Sequence, residues 1–99
     1  MKSITGQITC SESSEIPVGS VIFVYVMKDS NVIGRQTLHN WTQFPIDFKV
    51  DVPELNESGH FFTVNIENGE NVIFRSEDGS TPINEKEPLE NLNVQVKRN

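Results

Sequence analysis

The sequence predicts an all-β fold, a two-sheet antiparallel β-sandwich of about seven strands forming a single domain over residues 1–99. Three observations carry that expectation. Apolar residues recur at every second position along much of the chain, the period at which strand side chains return to one face. Turn residues (Gly, Pro, Asn, Asp, Ser) punctuate these runs at short intervals. No stretch keeps apolar residues three and four apart over three helical turns.

The elements follow in order. Ile4, Gly6, Ile8 and Cys10 alternate with Ser3, Thr5, Gln7 and Thr9, which gives a first strand with one buried face. Ser11 to Glu15 is a polar loop, and Pro17-Val18-Gly19 supplies a turn. "SVIFVYVMKD", Ser20 to Asp29, is almost continuously β-branched and aromatic, as expected of a mid-sheet strand packed on both sides. Asp29-Ser30-Asn31 turns the chain, and Val32 to His39 returns as a more polar strand. Gly34 within it marks a bulge or a close backbone approach.

From Phe44 the stripe Phe44, Ile46, Phe48, Val50, Val52 alternates with Pro45, Asp47, Lys49 and Asp51. A domain of this size cannot leave such a stripe open, so it forms one wall of the core. A loop over residues 54–59 leads to "HFFTVNIE", with Phe62, Val64 and Ile66 on one face and Phe61, Thr63 and Asn65 on the other. Asn68-Gly69 is a strong two-residue hairpin signal, with both residues expected at positive φ. Val72 to Ser76 should therefore pair straight back. A long acidic connection precedes the last strand, where Leu92, Val94 and Val96 share a face.

Composition narrows the function classes. Hydrophobic residues make up 35% of the 99 and charged residues 22%, a balance suited to a small folded globule. The net charge of −6 and pI near 4.7 argue against nucleic acid or an anionic membrane surface as partner, since both are recognised through excess Lys and Arg. Cys10 is the one cysteine, so no internal disulfide forms. No apolar run approaches the ~20 residues of a membrane span, and residues 1–7 lack the apolar core of a signal peptide. The chain is expected to be soluble, either cytoplasmic or the mature part of an envelope protein whose leader has been removed.

Catalytic and metal chemistry find no pattern. A Cys10 nucleophile would need His39 or His60 as base, but Cys10 falls in the buried phase of its strand and reads as a small core hydrophobe. No G-x-S-x-G elbow surrounds Ser30, Ser76 or Ser80. The histidines lack ligand spacing, and the acidic groups Glu12/Glu15, Asp51/Glu54/Glu57 and Glu77/Asp78 do not follow a calcium loop. No cofactor is expected and no enzyme activity. The sequons at Asn40 and Asn56 arise among ten asparagines and carry no inference. Trp41 reads either as a plug over one end of the sandwich or as a surface anchor.

The segments "ITGQI", "IPVGSVIFVYVMKDS", "IGRQTL", "FPIDFKVDV" and "FFTVNIENGENVIFRS", in that order over roughly Ile4 to Val96, resemble the bacterial YbaY/YscW-type lipoprotein domain, which includes type III secretion pilotins. Ile16-Pro17, Ser20 to Ser30 and Phe44 to Phe48 are the most specific parts of the likeness. The resemblance implies an Ig-like or transthyretin-like sandwich, anchored in the envelope by an N-terminal lipid, with no catalytic residues. Cys10, inside a strand after Ile8-Thr9, is a poor lipidation site.

These readings point to a non-enzymatic domain that holds or escorts another protein, through a strand edge or through the polar face bearing Arg35, Thr37 and His39, with Trp41 nearby. The alternative is a small-ligand or carbohydrate-binding module in which Trp41, with Phe61 or Tyr25, forms a stacking platform.

Overall fold

A computed structural model describes residues 2–12, 15–53, 59–76, 82–83 and 89–99. Among them there is no helix; eight strands run β1 (Lys2–Thr9), β2 (Val21–Lys28), β3 (Asn31–His39), β4 (Ile46–Val52), β5 (His60–Asn68), β6 (Asn71–Arg75), β7 (Leu92–Gln95) and β8 (Lys97–Arg98). Two sheets form, one of order β4-β1-β7 and one of order β3-β2-β5-β6-β8. Every pairing is antiparallel except β1 with β7, which is parallel. Parallel neighbours need a long connection, and β1 and β7 lie at opposite ends of the chain. The loop at 54–58, most of the acidic connection (77–81 and 84–88), the Asn56 sequon, Ser80 and the acidic groups at Glu54, Glu57, Glu77 and Asp78 lie outside the described residues.

The period-two pattern places the core. Ile4 and Ile8 of β1, Ile22, Val24 and Val26 of β2, Phe62, Val64 and Ile66 of β5 and Val94 of β7 are fully buried. The β4 stripe is buried from Ile46 through Phe48, Val50 and Val52, while Asp47, Lys49 and Asp51 are exposed. Phe44 departs from the expected stripe: it is half-buried and precedes the strand, after which the Phe44-Pro45 peptide is cis. Its ring meets Phe74 edge-on at 5.4 Å, and Phe48 meets Phe62 likewise at 5.3 Å, so two aromatic contacts tie the layers together. Phe48 also lies over Gly6, its register partner.

Two corrections concern the turns and β2. Asn68 ends β5 opposite Asn71, so the hairpin loop is Gly69-Glu70 and Gly69 alone takes positive φ. That is the pattern of a loop with glycine first. Asn68 instead donates through Nδ2 to the Val18 carbonyl and to Ser20 Oγ, both at 3.2 Å, which ties the preceding turn to this end of the sheet. β2 is central but packs fully on one side only; Val21, Phe23, Tyr25 and Met27 are half-buried on the outer side. A two-layer sandwich has no third layer to cover them.

The lateral margins are blunted. Val26 pairs with Gly34 but Met27 with Val32, so Ile33 is the extra residue of a bulge in the edge strand β3. Gly34 serves both expectations, since a Cβ there would lie 2.6 Å from Val52 Cγ1 and 3.0 Å from the Asp51 carbonyl. Gln36 Oε1 accepts the Lys49 N–H at 2.8 Å, so a β3 side chain caps the edge of β4. At the other margin the last strand divides. Leu92–Gln95 pairs with β1, the Val96 N–H donates to the Thr9 carbonyl at 2.9 Å, and Lys97–Arg98 crosses to pair with β6.

Candidate functional site

The outer face of the five-stranded sheet gathers the predicted residues into a grid fixed by register. Across one row lie His39, Val21, Glu67 and Val72; across the next Thr37, Phe23, Asn65, Arg75 and Lys97. Arg35, Tyr25 and Thr63 form a third row, and Val32, Met27, Phe61 and Pro82 a fourth. The β2 column is therefore an apolar stripe. The rings of Phe23 and Tyr25 lie parallel within 3° with centroids 6.3 Å apart. Val32, 51% exposed, widens the stripe at the fourth row. Among the described residues no strand packs over this face.

Alternation explains the placement. Arg35, Thr37 and His39 are exposed residues two apart on β3, so all three project on the outer side beside Tyr25, Phe23 and Val21. The bulge at Ile33 opens a hollow of about 320 Å³ lined by Tyr25, Val32, Ile33, Gly34 and Arg35. A bulge re-aims side chains and interrupts the ladder, which puts an arginine and an aromatic ring on the rim of one concavity.

Trp41 is not part of this grid. Asn40 adopts a left-handed φ of 65°, and beyond it Trp41 is half-buried and packs against the core. The next residue, Thr42, accepts the Ile16 N–H at 2.9 Å, so Trp41 sits at the end of the sandwich closed by the Glu15-Ile16 segment. Of the two proposed stacking partners, Tyr25 belongs to the outer stripe beside Phe23, and Phe61 lies opposite Met27.

Cys10 and the histidines occupy different surroundings. Cys10, just past β1, is half-buried against the core; His39 is exposed on β3; His60 is buried at the start of β5 with its Nδ1 unpartnered. Ser76 is buried in a structural role, its Oγ accepting the Val64 N–H at 2.9 Å. Among the described residues no three His, Cys, Asp or Glu side chains converge to hold a metal.

The opposite outer face, on the three-stranded sheet, differs in chemistry. Ser3 Oγ donates to Asp51 Oδ1 at 2.6 Å, Gln7 Nε2 to Asp47 Oδ1 at 3.0 Å and Thr9 Oγ1 to Asn93 Oδ1 at 2.9 Å. Three pairs of its polar side chains are thus occupied with one another. The residues that sequence reasoning left out of the site are Phe23, Met27, Val32, Arg75 and Lys97. The available signal was that both phases of Ser20 to Asp29 are apolar while only one can face the core.

No protein-family model matches the chain, and no curated protein matches it. The fold is similar over nearly its whole length to a solved structure, that of an alternative pilotin from the type II secretion system of Vibrio cholerae. The TM-score is 0.76 at 18% identity, covering 99% of this chain and 96% of that one. The fold is thus that of a pilotin structure.

Proposed function

We propose that this chain is a non-catalytic protein-binding domain of pilotin-like type, related to the YbaY/YscW-type domains, and that it engages its partner on the outer face of the five-stranded sheet. The observation that carries the reading is the stripe of Val21, Phe23, Tyr25 and Met27, half-buried at the middle of a sheet and widened by Phe61 and exposed Val32. Contiguous apolar surface rimmed by polar residues is the usual mark of an interaction site, and aromatic residues with a neighbouring arginine are typical anchors. Likeness to a pilotin of a secretion system supports a protein as the partner. Addition of a partner strand is the less favoured route, because β3 is bulged, β4 is capped by Gln36, and β6 carries Asn99 on its Val72 and Ile73 carbonyls.

Capture from native extract on immobilised protein tests the reading. A retained protein should be lost with Tyr25→Ser and with Arg35→Glu, and kept by Asp47→Lys on the opposite face. A partner lost equally with Asp47→Lys, or no partner retained, would overturn it. The parallel Phe23 and Tyr25 rings also favour a second reading, an aromatic platform for a sugar. Tyrosine emission that responds to glycans, with no protein captured, would select that one.

A further inference from the structure

Resting on the reading that this face binds protein, we infer that the partner segment is acidic, that its apolar side chains lie along the β2 stripe, and that one of them seats in the hollow beside Arg35. Charge distribution is the first support. The chain carries −6 overall, yet the described residues of this face present Arg35, Arg75 and Lys97 against the single carboxylate Glu67. The opposite face has Asp47 and Asp51 around Lys49. Among the described residues, the side that exposes the aromatic rings thus has a local excess of cations over carboxylates.

Their placement matters as much as their number. Arg35 is one strand from β2 on one side, and Arg75 is two strands away on the other. With strands roughly 4.8 Å apart and rows two residues, or about 7 Å, apart, Arg35 beside Tyr25 and Arg75 in the row of Phe23 straddle the stripe on a diagonal of about 16 Å. An apolar ridge flanked by carboxylates on both sides fits that layout, because bidentate arginine–carboxylate pairs form at the rim while the ridge is desolvated. The hollow lined by Tyr25, Val32, Ile33, Gly34 and Arg35 offers a pocket for one large apolar side chain.

Two stacked rings and flanking cations are also features of single-strand nucleic-acid platforms. The extent of the face decides against that class. The stripe from Val21 to Met27 is about 20 Å long at roughly 3.3 Å per residue, and Asp29 and Glu70 stand in the turns at its two ends. A polyanion running through would meet those carboxylates at both exits, with the acidic remainder of the chain beyond. A short segment fits between them.

Selection of a random peptide display library on the immobilised wild-type domain tests the inference. Enriched peptides should carry net negative charge and several apolar residues. Binding of the synthesised peptides should be lost with Phe23→Ser and weakened with Arg35→Glu and Arg75→Glu, each by roughly five- to tenfold, the scale of a rim charge turned from attraction to repulsion. Raising NaCl from about 50 to about 500 mM should weaken them further. The polar-for-charged variant Arg35→Gln, with thermal melts, separates lost binding from lost folding. Peptides that depend on Phe23 but are neutral or basic would overturn the acidic partner and leave the face standing. Peptides indifferent to both Phe23 and Arg35, or none enriched, would overturn both. Competition by single-stranded oligothymidylate would replace the inference with the nucleic-acid class.

Discussion

Replacing Gly34 with alanine probes how the sandwich is closed beside the site. The new Cβ would stand 2.6 Å from Val52 Cγ1 and 3.0 Å from both Val50 Cγ1 and the Asp51 carbonyl oxygen. Ordinary contacts between such atoms lie near 3.5 to 4 Å, so β3 and β4 must separate by about 1 Å at this point. Val50 and Val52 are fully buried and β-branched, so rotamer changes offer little relief. Overpacking of this kind costs about 1–3 kcal/mol, offset by about 0.5–1 kcal/mol from the less flexible unfolded chain. The net is a loss of about 1–2 kcal/mol, or a Tm lower by about 5–15 °C for a domain of this size. Chemical denaturation of Gly34→Ala, Val52→Ala and the double variant gives the full cycle. Val52→Ala removes the closest methyl, so the double variant should be more stable than the sum by about 1 kcal/mol. Additive losses, or Gly34→Ala as stable as wild type, would refute the close approach of β3 to β4.

Other substitutions reach other joints of the fold. At Gly6→Ala the Cβ would fall on the Leu92 carbonyl oxygen and on the Phe48 ring; the parallel β1–β7 ladder should part, with a loss of about 3 kcal/mol or more and faster amide exchange at residues 92–96. Ser76→Ala strands the buried Val64 N–H that Ser76 Oγ now accepts. That should cost about 1–3 kcal/mol and speed exchange of the Val64 amide selectively; unchanged exchange there would count against the bond.

Much of this architecture was legible because alternation is a local property. β1, β4 and β5 could be assigned to their buried faces from Ile4, Ile8, Phe48, Val50, Phe62 and Val64 alone, since one face of each had to go inward. Three features were not legible, each for a tertiary reason. Val96 continues the alternation of Leu92 and Val94, so nothing local announces that the chain leaves one sheet for the other at that residue. Phe44 keeps the period of its stripe, yet it sits ahead of the strand and packs edge-on to Phe74. β2 is apolar in both phases, and period-two reading cannot say which phase meets a second layer and which meets the outside. The site divided along the same line. Arg35, Thr37 and His39 were visible as one face of a polar strand, whereas the aromatic column between them and Arg75 emerged only with the strand order.

That strand order also bears on why the proposed interaction lies on the face rather than at the margin. A sheet edge offers unpaired backbone groups to any passing strand, and this fold spends side chains and chain length on closing its margins. Gln36 caps Lys49, a bulge at Ile33 interrupts β3, the 92–98 segment crosses between sheets, and Asn99 occupies the Val72 and Ile73 carbonyls. Backbone pairing, which is indifferent to sequence, is thereby suppressed at these points. What remains outward on the larger sheet is a set of side chains with definite shape and charge: two parallel rings, a hollow beside an arginine, and cations on either flank. On the proposed reading, selectivity comes from matching those groups, since a partner lacking either the apolar ridge or the carboxylates would leave aromatic surface wet or arginines unpaired.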